Sequence, residues 1–419
     1  MQFDENNNII NQDINNNIIT NDNNNDKNTF SNNTPDIIEK WEHFGIKESL
    51  LKGIYGTGFI TPSFIQKVAI KPMMMGKDLR AQAQSGTGKT GAFAVGALQS
   101  IDETIDATQV LVLVSTREIA EQNAMRIAGI GMHMNIKVTL LCGGFAVSEN
   151  ISSLSQNPGI VVGTPGRVLH MIQANHLKTE NIKLLIIDEA DEMLKQGFKD
   201  KVKAIFLTLP VDILQVAMFS ATWEKEELDV AAEILRNPVI IDLRQDEQTL
   251  KGIDQYYVYL GPKPARGSDM LKVDALVDIL ESSDVSQCVI FVNTKSKAKY
   301  LYDVLCTMKF PVEVIHSEFT QQQRTDILNR FRASKFRYLL STGLLGRGID
   351  IQQLSLVINF DIPRSQDIVT YIHRIGRAGR YGRKGKALNF VFDDDLPVIQ
   401  EIEKHFHTSI GPMPQNETT

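Results

Sequence analysis

The sequence predicts an α/β protein of two domains, each a mostly parallel sheet flanked by helices, and three observations carry that expectation. Short apolar runs rich in β-branched residues alternate with helix-like segments from Trp41 onward, the pattern of strands buried on both faces of a parallel sheet. The runs fall into two sets, separated by a polar, charged stretch at residues 243–254 that reads as a linker. Only the first set contains a glycine-rich loop ending in Lys-Thr and an apolar strand ending in Asp-Glu, so two domains matched in pattern differ in chemistry.

Taken in chain order, residues 1–35 are dominated by asparagine with scattered Ile, Asp and Thr. Such a composition buries too little surface to offset chain entropy, and a disordered tail is expected. The first domain is expected over residues 36–242, with strands at 110–114, 159–162, 184–187 and 216–219 and a short, weakly apolar one at 78–82. The second is expected over 255–414, with strands at 288–292, 312–315, 338–341, 356–360 and 388–391, followed by a polar tail at 415–419.

A chain of 419 residues with 42% apolar content can fill two cores of ordinary size. No apolar run is long enough to span a bilayer and the polar N-terminus has no signal-peptide core, so a soluble protein of the cytoplasm or nucleus is expected, without a membrane partner. Three cysteines, Cys142, Cys288 and Cys306, stand far apart with no Cys-x-x-Cys pair. That spacing argues against zinc and disulfides and for buried thiols in a reducing compartment. His405 and His407, two apart, diverge on a helix instead of sharing a ligand.

A net charge of −6 supplies no global attraction for a polyanion, so any nucleic-acid contact must be local. The densest basic patch is Arg374, Arg377, Arg380, Arg383, Lys384 and Lys386. Arginines recurring every third residue with glycines between them do not form one helix face, which favours phosphate contact over a solvated cluster.

Two segments carry the chemistry. In Ala83-Gln84-Ser85-Gly86-Thr87-Gly88-Lys89-Thr90, glycines let backbone N–H groups curl around phosphate oxygens while Lys89 reaches the outer phosphates and Thr90 the metal. In Leu184-Leu185-Ile186-Ile187-Asp188-Glu189-Ala190-Asp191, an apolar strand ends in the acids that hold magnesium and handle water. A Gly-Lys-Thr loop alone is often an ordinary turn, and an Asp-Glu alone is often a solvated strand end. Together, in this order, they point to nucleoside triphosphate hydrolysis.

Further segments fit one family. Residues 58–66 (Gly-Phe-Ile-Thr-Pro-Ser-Phe-Ile-Gln), Thr164-Pro165-Gly166-Arg167, Ser220-Ala221-Thr222, Arg347-Gly348-Ile349-Asp350 and His373-Arg374-Ile375-Gly376-Arg377-Ala378-Gly379-Arg380 resemble, in order, motifs of the DEAD-box RNA helicases. The resemblance runs from near Trp41 to near Pro414 and implies two RecA-like domains that bind ATP and RNA across both. It implies catalytic roles for Lys89, Asp188, Glu189, Arg377 and Arg380, with Arg377 and Arg380 as arginine fingers. It implies nucleotide binding by Phe59, Gln66, Ser85, Gly86, Thr87, Gly88, Lys89, Thr90, Gly348 and Asp350, and Mg2+ held by Thr90 and Asp188 largely through water.

The RNA contacts so implied are Thr116, Arg117, Gly144, Thr164 and Arg167 in the first domain and Asn293, Gln321, Arg324 and Thr342 in the second. Asp191, Ser220, Thr222 and His373 would couple the two sites. The implied partners are single-stranded or short duplex RNA, bound without sequence preference, and an initiation scaffold or other regulatory protein, with the chain a monomer. Residues 344–359 and 408–414 look most like the translation-initiation branch of the family, and an ATP-gated RNA clamp of the exon-junction type is the alternative. Four positions depart from the family pattern. Ser115 replaces a proline, Gly343 an acid, Gly346 an alanine and Trp41 a phenylalanine.

Overall fold

The computed structural model describes residues 19–20, 37–84, 86–195, 197–243, 253–282, 285–343, 354–364, 368–378, 385–406 and 408–414. The chain divides into two units, Met1–Gln245 and Asp246–Thr419. Of the expected site residues, Ser85, Gly348, Asp350 and Arg380 lie outside the described residues, as does the side chain of Gln321.

The first unit runs β1 (Ile19–Thr20), α1 (Glu48–Gly56), α2 (Phe64–Met74), β2 (Leu79–Gln82), α3 (Lys89–Ser100), β3 (Val110–Leu113), α4 (Arg117–Ile130), β4 (Val138–Leu141), α5 (Val147–Leu154) and β5 (Ile160–Gly163). It continues through α6 (Pro165–Gln173), β6 (Leu184–Asp188), α7 (Ala190–Met193), α8 (Lys199–Phe206), β7 (Gln215–Ser220), α9 (Lys225–Ile234) and β8 (Val239–Asp242). Its sheet has the order β1-β8-β2-β7-β6-β3-β5-β4, parallel throughout except for β1. Strands β3, β6 and β7 are buried at every residue, as their unbroken apolar runs require of a sheet covered on both faces. On one face Leu111, Leu185, Ile187 and Met218 pack with Val202, Ile205 and Val230. Phe93 of α3 meets Phe219 at 5.5 Å between ring centres.

Within the asparagine-rich stretch, Ile19 and Thr20 pair antiparallel with Ile241 and Ile240 at the sheet edge. The rest of residues 1–36 lies outside the described residues.

The second unit runs β9 (Ile253–Tyr259), α10 (Ser268–Ser282), β10 (Cys288–Phe291), α11 (Lys295–Thr307), β11 (Val312–Ile315), α12 (Gln321–Arg332), β12 (Tyr338–Ser341), β13 (Leu356–Asn359), α13 (Val369–Ile375), β14 (Gly385–Val391), α14 (Leu396–Phe406) and β15 (Gly411–Pro412). All seven strands are parallel, in the order β11-β12-β10-β13-β14-β9-β15. Strand β9 begins at Ile253, so the last two residues of the stretch expected as linker are strand. Of the three cysteines expected to be buried, Cys142 and Cys288 are, and Cys306 on the outer face of α11 is exposed.

The fold sets the site by a simple rule: loops at the C-terminal ends of parallel strands carry the side chains that face a ligand. In the first unit every singled-out segment beyond α2 follows such an end. The phosphate loop follows β2, Ser115 to Arg117 follow β3, Gly144 follows β4, Thr164 to Arg167 follow β5, the acids close β6, and Ser220 to Thr222 close β7.

Candidate active site

Gly88 stands at the N-cap of α3 with φ 106°, in the left-handed region that favours glycine, and so turns the loop directly into the helix. The N–H groups of the first helical turn then face the same space as the loop, a ready anion site. Lys89, the first helical residue, reaches back and donates from Nζ to the Ala83 carbonyl oxygen at 2.6 Å. Thr87 Oγ1 donates to Gln84 O at 2.8 Å. Thr90 lies one residue on, half-buried in the same turn.

Gln66, 1% exposed, connects α2 to this loop: its Oε1 accepts from Ser63 N at 2.8 Å and its Nε2 donates to Gly88 O at 3.1 Å. A methyl group on Gly91 would come within 2.4 Å of that Nε2, so the helix must be bare there to admit the amide. The amide retains a second N–H for an acceptor. Phe59 has the edge of Trp41 at 6.4 Å on one side and the Arg126 guanidinium at 5.6 Å from its ring centre. The Trp41 substitution therefore keeps an aromatic support beneath Phe59.

The acid pair sits two strands away from the loop. Asp188 accepts from Asn123 Nδ2 at 3.1 Å and from Glu189 N at 3.0 Å. Burial pushes its carboxyl above the ordinary range, and the nearby Lys89 charge pulls it back. Glu189 holds φ 52° and ψ 51°, a left-handed conformation that costs a non-glycine residue about 1–3 kcal/mol. Its Oε2 accepts from Ser115 Oγ at 2.8 Å.

Strand β7 links the loop to the acids. Ala83 N donates to Ser220 O at 3.0 Å and Gln82 Nε2 to Ala221 O at 3.1 Å. Ser220 Oγ accepts from Asp191 N at 3.3 Å, and Thr222 Oγ1 donates to an Asp191 carboxylate oxygen at 3.2 Å. Asp191, Ser220 and Thr222 thus form one connected group beside the phosphate loop.

Glu227 lies against this group. Burial first, and then the Asp191 charge, push its carboxyl up to about 7, while its Oε2 accepts from Glu224 N at 2.8 Å. The folded chain therefore holds a proton that the unfolded chain has lost, and stability falls as pH rises through the window from 4.5 to about 7. Glu227→Gln keeps an acceptor for Glu224 N and removes the buried charge. Urea unfolding is expected to show the variant more stable than wild type at pH 8 by up to about 3 kcal/mol, less what the lost 3.9 Å pair with Lys195 contributed, with the gap closing toward pH 4.5.

A second row of side chains lies along β3, β5 and β4. Thr116 caps α4, accepting from Ile119 N at 3.4 Å, and Thr164 stands at the N-cap position of α6 without a side-chain cap bond, where Pro165 fixes the first helical residue. Arg117 lies over Gly144, where φ is 93° and a methyl would stand 2.3 Å from Nη1. Arg167 donates to Phe145 O at 3.1 Å and to the Asn150 side chain. The loop after β4 is thus held by an arginine on each side, and the expected contacts Thr116, Arg117, Gly144, Thr164 and Arg167 all follow the C-terminal ends of the neighbouring strands β3, β5 and β4.

In the second unit, Asn293 follows β10, Thr342 follows β12, and Gln321 and Arg324 open α12. Asn293 is committed inside the unit: Nδ2 donates to Ile362 O at 2.7 Å, and Oδ1 accepts from Arg374 Nη2 at 2.8 Å. Arg374 also donates to Asp361 O at 2.7 Å and lies over Phe291. At 3% exposure it frames the interior, a correction to the basic patch in which it was expected to meet phosphate. Burial disfavours charge on Asp361, but Lys272 and Lys297 more than offset this and hold its carboxyl below the usual range. Arg377 is 7% exposed and donates from Nε to His373 O at 3.3 Å. Gly343 is exposed with open space where a side chain would begin, so the missing acid is a matter of sequence and not of room.

Sequence reasoning missed Asn123, Arg126 and Gly91. The available signal for Asn123 was a polar residue on the buried face of α4, six positions after Arg117.

The DEAD/DEAH box helicase family matches residues 63–230, and the helicase conserved C-terminal domain matches residues 271–382. The chain is 53% identical over 382 residues to the ATP-dependent RNA helicase eIF4A of Encephalitozoon cuniculi, covering 90% of each. It is 45% identical over 382 residues to the protein of that name from Lodderomyces elongisporus, covering 91% of this chain and 94% of the other. Among solved structures, S. cerevisiae Dbp5 bound to RNA and ADP BeF3 superposes with a TM-score of 0.83 at 32% identity, covering 91% of this chain and 97% of that one.

Proposed function

Because the chain belongs to the DEAD-box family of ATP-dependent RNA helicases, we propose that it couples ATP hydrolysis to the binding of single-stranded RNA and the separation of short duplexes in translation initiation. The observation that carries this reading is the order of loops on one sheet. The phosphate loop after β2, the connecting Ser-Ala-Thr after β7, the acids of β6 and the polar row after β3, β5 and β4 follow one another across the sheet.

In the proposed reaction a water oxygen attacks the γ-phosphorus, the bond to the β–γ bridging oxygen breaks, and ADP and phosphate leave. Glu189 orients the water and accepts its proton, and Lys89 neutralises the outer phosphate oxygens. Thr90 and Asp188 offer the hard oxygen donors that suit Mg2+, and one hydroxyl with one carboxylate fits an ion that keeps most of its waters. When bound, the ion neutralises charge on the β and γ oxygens. Gln66 and Phe59 receive the base, Gly348 and Asp350 the ribose side, and Arg377 with Arg380 supply guanidinium charge from the second unit.

Thr116, Thr164, Thr342 and the backbone around Gly144 present short polar groups suited to phosphate and sugar, which fix a strand without reading bases. Arg117 and Arg167 brace that backbone, and the family resemblance assigns Gln321, Arg324 and Asn293 of the second unit to RNA as well. Recognition without base readout selects no target, so targeting falls to a protein partner, an initiation scaffold, with the chain acting as a cytoplasmic monomer. Its 53% identity to a relative named eIF4A supports the initiation assignment.

The test is ATP turnover with and without unstructured RNA, joined to a salt titration of RNA affinity. Turnover is expected to rise with RNA, and log affinity to fall by about 0.7 per decade of salt for each phosphate neutralised. Turnover indifferent to RNA would refute the reading, and slow RNA release after hydrolysis would move the assignment to a clamp.

A further inference from the structure

Ser115 stands where the family pattern has proline, and proline has no side-chain donor. In this chain its Oγ lies 2.8 Å from Glu189 Oε2, with Ser115 and Glu189 both 7% exposed. The next two residues, Thr116 and Arg117, begin the patch assigned to RNA, and Asn123 of the helix they open donates to Asp188 at 3.1 Å. The segment from β3 into α4 therefore touches both acids at the end of β6 from one side while presenting its own start to RNA.

We propose that Ser115 is a positioning residue for ATP hydrolysis: its hydroxyl fixes the Glu189 carboxylate for the attacking water and ties that orientation to the RNA-facing turn at Thr116 and Arg117. This rests on the function proposed above. Glu189 sits on a left-handed backbone at the start of a four-residue helix, and the Ser115 hydroxyl reaches its carboxylate from the end of another strand. A hydrogen bond from a neutral hydroxyl to a carboxylate is directional and strong enough to select one rotamer. Misplacing a water-orienting group by a fraction of an ångström slows a reaction that depends chiefly on positioning. The bond acts on turnover and not on nucleotide capture, because neither Ser115 nor Thr116 belongs to the phosphate loop.

The experiment compares full-length wild type with Ser115→Ala, Ser115→Thr and Ser115→Val, measuring kcat and KM for ATP with saturating RNA, RNA affinity, and the thermal midpoint of each protein. The expected result is a roughly tenfold lower RNA-stimulated kcat in S115A, with KM for ATP and RNA affinity within about twofold of wild type. S115T and S115V have the same shape and differ only in the hydroxyl. S115T is expected to keep most of the wild-type rate and S115V to fall with S115A, which a packing role would not produce. Equal rates for S115T and S115V, or a wild-type kcat in S115A, would overturn the proposal while leaving the helicase assignment intact. A wild-type protein whose turnover ignores RNA would overturn both.

Discussion

Lys89→Ala is expected to lower ATP turnover by about a hundredfold to a thousandfold, with or without RNA, and to remove RNA-stimulated turnover. Lys89 is the cation of the phosphate loop, and it begins α3 where helix and loop N–H groups face the same space. The variant is expected to fold, because the bond from the Lys89 ammonium to the Ala83 carbonyl is worth only about 2 kcal/mol. Asp188 would also lose a neighbouring positive charge, leaving burial to push its carboxyl further up. Turnover measured beside a thermal unfolding curve separates the effects. A folded variant that hydrolyses ATP at more than a tenth of the wild-type rate would exclude Lys89 from the reaction.

Arg377→Ala is expected to lower RNA-stimulated turnover by about a thousandfold while leaving ATP binding near wild type. The loss should be specific to the rate, because the base and phosphate contacts proposed above lie in the first unit and the proposed role of the arginine is to meet charge that develops on the transferring phosphoryl group. Arg377→Lys should not recover it, since an ammonium cannot reproduce the planar fork of a guanidinium. Fluorescent nucleotide binding and turnover, measured on the same preparation, read both quantities. Parallel losses in binding and rate would instead mark Arg377 as structural, through its bond to the His373 carbonyl.

Much of the fold was readable because parallel strands buried on both faces leave a plain trace. Residues 184–188 and 215–220 are buried throughout and are apolar nearly throughout. Strand β9 was missed because Ile-Asp-Gln-Tyr-Tyr-Val-Tyr opens with polar residues after Ile253 and only Ile253 and Gln255 are buried, so its start merged with the polar stretch before it. The phosphate loop and the acids were readable because their chemistry is local in sequence.

Contacts between distant segments were not. Ser115 and Glu189 are 74 positions apart, and Asn123 and Asp188 are 65 apart. Nothing in either local pattern announces its partner. Arg374 looked like one more cation in a basic run, yet α13 turns it inward to Asn293, Asn359 and the Asp361 carbonyl. A repeat of three in the sequence fixes spacing along the chain, and only the packed helix decides which of those side chains faces solvent.

The left-handed backbone at Glu189 has a practical consequence for anyone engineering this chain toward heat resistance. Glycine would relax that residue at once, so a selection scored on survival alone would be drawn to a position whose carboxylate is proposed to handle the attacking water. Codon 189 would have to be locked before the first round, or the hardiest descendants would be the inert ones.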